Sequence, residues 1–265
     1  MPVTSRDVTA AGVTQHVECV GVKPAEGAPT VVLMAGLGGA AQDAWDGVFP
    51  SPAATLPART CLIDRPGVGL SPARSTDVNS PVLNASETLA ALAAADEPGP
   101  YVFAGWSYGG LVALLAADEA ASADPPELAG LVLIDPTLPD EYRTLDTVGW
   151  TEGGVDLDMT AGEAAAADID LGDAPVVIVI AGQNKTNVDH WSEVVGKQSD
   201  TARTSRDFLV VHHPQVGHDV TGEDPTTVIS ALSAAVAAAP STTELAGCDT
   251  PPAGLGAPLE CLLSD

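Results

Sequence analysis

The sequence predicts an α/β protein whose mostly parallel sheet carries helices on both faces. Three observations predict it. Short apolar runs rich in Val, Ile and Leu recur along the chain, among them TVVLMA at 30–35, GLVLID at 130–135 and VVIVIA at 176–181. Runs without polar alternation belong to strands buried on both faces, as parallel sheets provide. Helical stretches separate several of these runs, which is the rhythm of βαβ units. Finally, 265 residues with 45% apolar content can bury a full core, which excludes global disorder.

Taken in order, the first strand read from the residues is 13–22, VTQHVECVGV. Strands at 30–35 and at 59–64 (RTCLID) follow, each ending at a glycine-bearing turn. A helix is expected over 85–97, with Asn84 or Ser86 as its cap. The strand at 101–105 (YVFAG) leads into a helix at 111–121. Strands at 130–135, 176–181 and 207–212 come next, and a helix over 224–239 closes the order. Pro225 stands at its start and Pro240 beyond its end, where proline is tolerated. Residues 136–174 break the rhythm, with acids, glycines and a few large apolar residues: Leu138, Tyr142, Leu145, Trp150, Leu157 and Met159. A connection this long in a compact domain usually serves function. It reads as a small cap within a single domain spanning 1–265, with 241–265 as a C-terminal tail.

Charge narrows the function classes. Asp and Glu number 36 against 10 Lys and Arg, a net charge of −26. Such a chain repels phosphate backbones, so nucleic acid is not an expected partner. Apolar stretches are strand-length, far short of the ~20 residues of a membrane span. The start, MPVTSRDVTAAG, has neither a basic n-region nor an apolar h-region. Either the chain works in the cytosol, or an export signal is removed ahead of it.

The cysteines bear on that choice. Cys19, Cys61, Cys248 and Cys261 form no CxxC, and no His/Cys cluster has zinc-ligand spacing. They are either four buried thiols or two disulfides. Cys248 and Cys261 flank DTPPAGLGAPLE, a Pro/Gly-rich stretch that needs a staple to order itself; closing that loop contributes ~3 kcal/mol in the chain-entropy model. Disulfides imply a secreted or cell-envelope protein, free thiols a cytoplasmic one.

Chemistry concentrates at Gly105-Trp106-Ser107-Tyr108-Gly109-Gly110, between a strand and a helix. In that setting G-x-S-x-G places a serine on a tight turn above the sheet, at a helix N-terminus that favours developing negative charge. A serine hydroxyl needs a base. Of His16, His190, His212, His213 and His218, the last lies on a late loop after 207–212 and is the expected base. His212 and His213 compete from the strand end. An oxyanion hole needs two backbone N–H donors. Tyr108, after the serine, and Leu37, in the turn Gly36-Leu37-Gly38-Gly39, are the candidates.

At this point AGLGG (35–39), DRPGVGLS (64–71), GWSYGG (105–110), LVLID (131–135) and VGHDV (216–220) resemble, in order, the α/β-hydrolase superfamily. More narrowly, HVEC, PTVVLMAGLG and TCLIDRPGVGLS resemble secreted bacterial serine esterases and lipases. The resemblance implies an eight-stranded sheet, a cap after the sixth strand, a Ser–acid–His triad in that chain order, and no cofactor. By its strand order the Cys19 and Cys61 strands are neighbours, which suits a disulfide between them. Two positions depart from the pattern. The common His-Gly of the oxyanion turn is Ala35-Gly36, and the usual acid position reads Gly182-Gln183-Asn184-Lys185, where Lys185 cannot serve. Asp135, at a strand end used by some superfamily members, and Asp189 remain. Asp135 is favoured, because Asp189 fits a helix N-cap.

The expected function is ester hydrolysis through a serine acyl-enzyme: Ser107 as nucleophile, His218 as base, Asp135 as acid, on small neutral or apolar esters. Thioester, amide, polyester and perhydrolase activities share the same machinery. Two rivals come from other classes. The missing acid at the usual place suits a binding protein on an inactive hydrolase scaffold. Gly36-Leu37-Gly38-Gly39-Ala40-Ala41 with Asp64 also satisfies a dinucleotide-binding pattern, although Pro50 and Pro52 would cut the following helix short. Oligomeric state is not readable, with a monomer as the default.

Overall fold

The structure, a computed structural model, describes residues 3–23, 25, 27–49, 58–125, 127–137, 149–185, 189–239, 244–256 and 259–264. Its main sheet has nine strands in the order β1-β2-β4-β3-β5-β6-β9-β10-β11. These are β1 (Val3–Ala10), β2 (Val13–Val20), β3 (Thr30–Met34), β4 (Arg59–Ile63), β5 (Tyr101–Trp106), β6 (Leu128–Ile134), β9 (Val176–Ala181), β10 (Phe208–His213) and β11 (Glu260–Ser264). The run β4-β3-β5-β6-β9-β10 is parallel throughout. β1, β2 and β11 add antiparallel edges.

The interior strands are buried on both faces, which explains their unbroken apolar sequences. Helices α2 (Pro81–Ala94) and α3 (Tyr108–Ala121) cover one face, packing Leu92, Leu111 and Leu114 against Phe103, Leu131 and Ile178. Helix α7 (Pro225–Ala238) and the short α1 (Ala41–Ala44) cover the other, against Val102, Val132 and Val177. The sheet's order follows the superfamily's layout, with one strand more than the eight implied. The extra strand is β11, within the segment expected to be a tail. It pairs with β10 while Cys261 bonds Cys248. Cys19 and Cys61 face each other across β2 and β4 and are also bonded.

Several boundaries differ from expectation for physical reasons. β1 is an edge strand whose side chains are mostly exposed, with Val8 its buried residue, so it lacks an apolar signature. Helix α2 starts four residues earlier than expected. Its cap is Ser80, which accepts the Leu83 N–H at 3.2 Å, and Pro81 fits the first turn. Asn84 is therefore inside the helix and buried. Helix α5 (Trp191–Ala202) is capped at His190, so Asp189 is exposed and is not its N-cap. Within 136–174, the described residues form a hairpin of β7 (Thr151–Glu152) and β8 (Val155–Asp156), then helix α4 (Met159–Ala165). Leu157 and Met159 pack into the core beside α2 and α3. Leu138, Tyr142 and Leu145 lie outside the described residues, as do Pro50, Pro52 and Pro240. Among the described residues, no helix is long and apolar enough to cross a membrane.

Candidate active site

Ser107 sits between β5 and α3 with φ 56° and ψ −128°, a conformation that L-residues seldom adopt. Its neighbours hold it there. The Ser107 N–H donates to the Ile134 carbonyl at 3.1 Å, and its own carbonyl accepts from Gly110 and Thr137 at 2.8 and 2.9 Å. The flanking glycines are required by close approach. A Cβ on Gly105 would run into the backbone of Gly109, and one on Gly109 into the carbonyls of Met34 and Ala35. The turn therefore requires glycine at 105 and 109.

His218 reaches this serine from the loop between β10 and helix α6 (Val220–Glu223). Its Nε2 is 2.9 Å from Ser107 Oγ and its Nδ1 is 2.6 Å from Asp135 Oδ2. A carboxylate only accepts, so Nδ1 carries the proton and Nε2 offers its lone pair to the serine hydroxyl. The loop is clamped on both sides of the histidine. Asp219 caps α6 by accepting the Gly222 N–H, and Gly217 donates to Glu223. Trp106, beside the serine, donates its indole N–H to the His218 carbonyl at 2.7 Å, with ring centroids 5.3 Å apart.

Asp135 follows β6 and is buried, with φ 39°. Its Oδ1 accepts the Ala181 N–H at 3.0 Å. Its Oδ2 accepts from Asn184 Nδ2 at 2.7 Å as well as from His218. Asn184 and His218 Nδ1 lie 3.3 Å apart because both aim at that oxygen. Asn184 thus stands in the loop where the superfamily pattern puts its acid, and it donates to the aspartate that follows the neighbouring strand. Only the mismatch with the G-x-x-D pattern could have marked it beforehand.

The remaining candidates are placed elsewhere. His213 is buried and pairs with Asp224 at 2.9 Å, where Asp224 also caps α7. His212 packs against Trp191 with the rings tilted by 51° and faces Glu260 at 3.0 Å. Gln183 donates to the Pro214 carbonyl, and Lys185 is exposed. Asp64 is spent on the Ala41 and Leu70 amides, each at 2.8 Å, and the helix after the glycine turn has four residues. Among the described residues, the dinucleotide pattern therefore has neither an uncommitted acid at Asp64 nor a long helix after its glycines.

Two backbone segments border the serine. Tyr108 is the first residue of α3, so its N–H belongs to the unpaired first turn of a helix. The turn holding Leu37 backs directly onto the serine: a Cβ on Gly36 would sit 3.3 Å from the Ser107 Cβ.

Comparison with known proteins agrees with this layout. Residues 29–153 match the family model described as alpha/beta hydrolase fold. The search of curated proteins gives no significant match. Among solved structures, the chain resembles Est1E from Butyrivibrio proteoclasticus, solved with ferulic acid bound (TM-score 0.64, 19% identity, 86% of this chain and 96% of that one). It also resembles a thermophilic esterase from Thermogutta terrifontis (TM-score 0.59, 18% identity, 86% and 96%). A thioesterase domain from the curacin biosynthetic pathway aligns with TM-score 0.63 at 14% identity, covering 87% and 99%. With the family model matched over residues 29–153, which include the glycine turn and the serine elbow, and the sheet laid out in that order, the chain has the α/β-hydrolase fold.

Proposed function

We propose that the protein is a serine hydrolase that cleaves small carboxylic esters through an acyl-enzyme. The observation that carries the reading is the unbroken chain Ser107 Oγ, His218 Nε2, His218 Nδ1, Asp135 Oδ2, with links of 2.9 and 2.6 Å at a strained elbow. Ser107 Oγ attacks the ester carbonyl carbon while His218 Nε2 takes its proton. The carbonyl oxygen becomes an oxyanion held by the Leu37 and Tyr108 N–H groups. Asp135 keeps the imidazolium oriented and offsets its charge. As the tetrahedral intermediate collapses, the C–O bond to the alcohol breaks and His218 returns the proton to that oxygen. Water then repeats the sequence on the acyl-serine and releases the acid.

The placement of Asp135 beside His218 favours this reading over an inactive scaffold, since an acid is available despite its loss from the usual loop. Residues 136–174, with their hairpin and helix next to α2 and α3, are read as a small cap over the site. Two cysteine pairs at bonding distance hint at an oxidising compartment, so we place the protein's work outside the cytosol. The test of function is a panel of p-nitrophenyl esters of rising chain length. Turnover of at least one neutral ester is expected; a folded, disulfide-intact protein that turns over none of them contradicts the reading.

A further inference from the structure

The DRPGVGLS turn and the buried charges beside it play no part in the mechanism above, yet they enclose the oxyanion turn. The side chains of Arg65 and Glu152 are 3% and 0% exposed. Arg65 Nε and Nη2 donate to Glu152 Oε2 and Oε1 at 2.9 and 2.6 Å. Its other contacts go to backbone: Nη1 to the Ala35 carbonyl and Nη2 to the Gly36 carbonyl, both 2.7 Å. Glu152 Oε1 in turn accepts the Gly38 N–H at 3.1 Å. One ion pair thus grips the turn on both sides of Leu37.

That grip has a directional consequence. The Gly36 carbonyl and the Leu37 N–H belong to one peptide plane, and a trans peptide points them in opposite directions. Fixing the carbonyl on Arg65 fixes the opposite aim of the Leu37 N–H. A cation at the carbonyl end also polarises the peptide, which strengthens its N–H as a donor. The same cluster reaches the second donor. The Arg65 guanidinium lies 5.1 Å from the centre of the Tyr108 ring, and Asn84 donates to the Tyr108 hydroxyl at 2.9 Å while standing 3.4 Å from Glu152 Oε2. Glu152 gets there because two glycines meet backbone to backbone. Gly67 and Gly153 have φ of 81° and 60°, and a Cβ on Gly153 would lie 2.8 Å from the Pro66 carbonyl oxygen. A buried ion pair is weak evidence for stability by itself, since apolar residues often replace one without loss. Its bonds to this one turn are what call for an explanation.

We infer that Arg65, held by Glu152, is a positioning residue that aims the Leu37 N–H at the developing oxyanion. This rests on the serine-hydrolase reading. It also means that the oxyanion turn is complete only when the hairpin carrying Glu152, 87 residues away in sequence from Arg65, is docked on it.

The test compares the wild type with Glu152→Gln and Arg65→Lys, using a neutral p-nitrophenyl ester and a trifluoromethyl ketone, which forms a hemiketal oxyanion on the serine. Misaiming one donor should lower kcat about 10- to 100-fold. KM should stay within about threefold, and ketone affinity should fall in parallel with kcat/KM. Equal kcat and equal ketone affinity in either folded variant overturn the inference while leaving the hydrolase reading intact. A wild type without turnover overturns both. The wild type also tests it without substitution: ketone binding should move the Leu37 amide resonance downfield in a ¹⁵N spectrum, and an unmoved Leu37 amide overturns the assignment even if neither variant folds.

Discussion

Among the described residues, two Ser–His–Asp constellations can be compared, and their contrast shows what makes one a candidate catalyst. At the elbow, Ser107, His218 and Asp135 are linked by contacts of 2.9 and 2.6 Å. On the hairpin of β1 and β2, Ser5 Oγ lies 3.0 Å from His16 Nε2, and His16 Nδ1 lies 2.7 Å from Asp7 Oδ1. The atoms and the order are the same. The second set arises from strand geometry alone. Ser5 and Asp7 share a face of β1 because strand side chains alternate, and His16 is the cross-strand partner of Asp7. Its surroundings differ in every respect that matters for acyl transfer. Ser5 and Asp7 are exposed on a flat strand, whose N–H groups lie in the plane of the sheet and do not converge above the hydroxyl. Asp135, by contrast, is buried and oriented by Ala181 and Asn184, and Ser107 stands at a helix N-terminus beside the Leu37 turn. The lesson is that three side chains within hydrogen-bond reach do not make a site; the strained elbow at a helix N-terminus and the buried, held acid are what single one out.

The largest expected effect separates the two directly. Ser107→Ala should lower kcat by about 10⁶, as loss of a triad serine does elsewhere, whereas Ser5→Ala should change nothing measurable in the same ester assay. Equal losses would erase the distinction. The acids should part next. Asp135→Asn should fold and lose about 10⁴ in kcat through the wrong imidazole tautomer, while Asp7→Asn leaves kcat unchanged. Asp189→Asn should cost less than tenfold; a large loss there would move the acid to Asp189.

A smaller effect probes how Asp135 is held. Asn184→Asp would put a second carboxylate on the oxygen that now accepts Asn184 Nδ2. Added negative charge favours the protonated imidazole and disfavours two ionised acids together. The acidic limb of the kcat/KM profile should therefore move to higher pH, by about one unit. A limb that stays in place would mean that Asn184 is not beside the triad in solution.

Buried charge supports both regions, Arg59–Glu97 beside β1 and Arg65–Glu152 beside the elbow, and the second pair can be probed by pH. Burial alone would push the Glu152 carboxyl up, but the Arg65 charge and hydrogen bonds outweigh it and hold the carboxyl below its ordinary range. A group depressed in the folded state stabilises it above the unfolded value, ~4.3 for Glu, and that contribution is lost as pH falls through the folded value. Stability of the wild type, measured by urea unfolding, should fall as pH drops below about 4, and Glu152→Gln should flatten that limb. The smallest effect concerns substrate charge. With a net charge of −26, neutral esters should exceed matched anionic ones in kcat/KM at low salt, and the gap should narrow as salt rises. A gap independent of salt would assign the preference to local contacts.

What was legible in the sequence follows from burial. The interior strands declare themselves because both faces are apolar, and the elbow because strand, glycine spacing and helix coincide around Ser107. β1 was not legible, because an exposed edge strand carries polar residues on both faces. β11 was hidden behind a Pro/Gly-rich stretch, and its partners, β10 and Cys248, are tertiary contacts. Among the candidate residues, Ser107 and His218 are named from local context, and Asp135 from the resemblance, which sets its strand end beside the nucleophile strand. Asn184 and Trp106 act through tertiary contacts to Asp135 and His218, which no local pattern encodes. Arg65 and Glu152 are harder still. Glu152 sits in a polar stretch where nothing distinguishes it from the chain's other acids until the hairpin docks beside Gly67.

The most direct test of the central claim is labelling of the native protein with a fluorophosphonate, followed by peptide mass spectrometry. A phosphonyl adduct forms readily only on a serine that has both an activating base and an oxyanion site. One adduct per chain on the peptide bearing Ser107, with Ser5 unmodified, is the predicted result; a folded protein in which Ser107 stays unlabelled, or in which Ser5 reacts as fast, would contradict it.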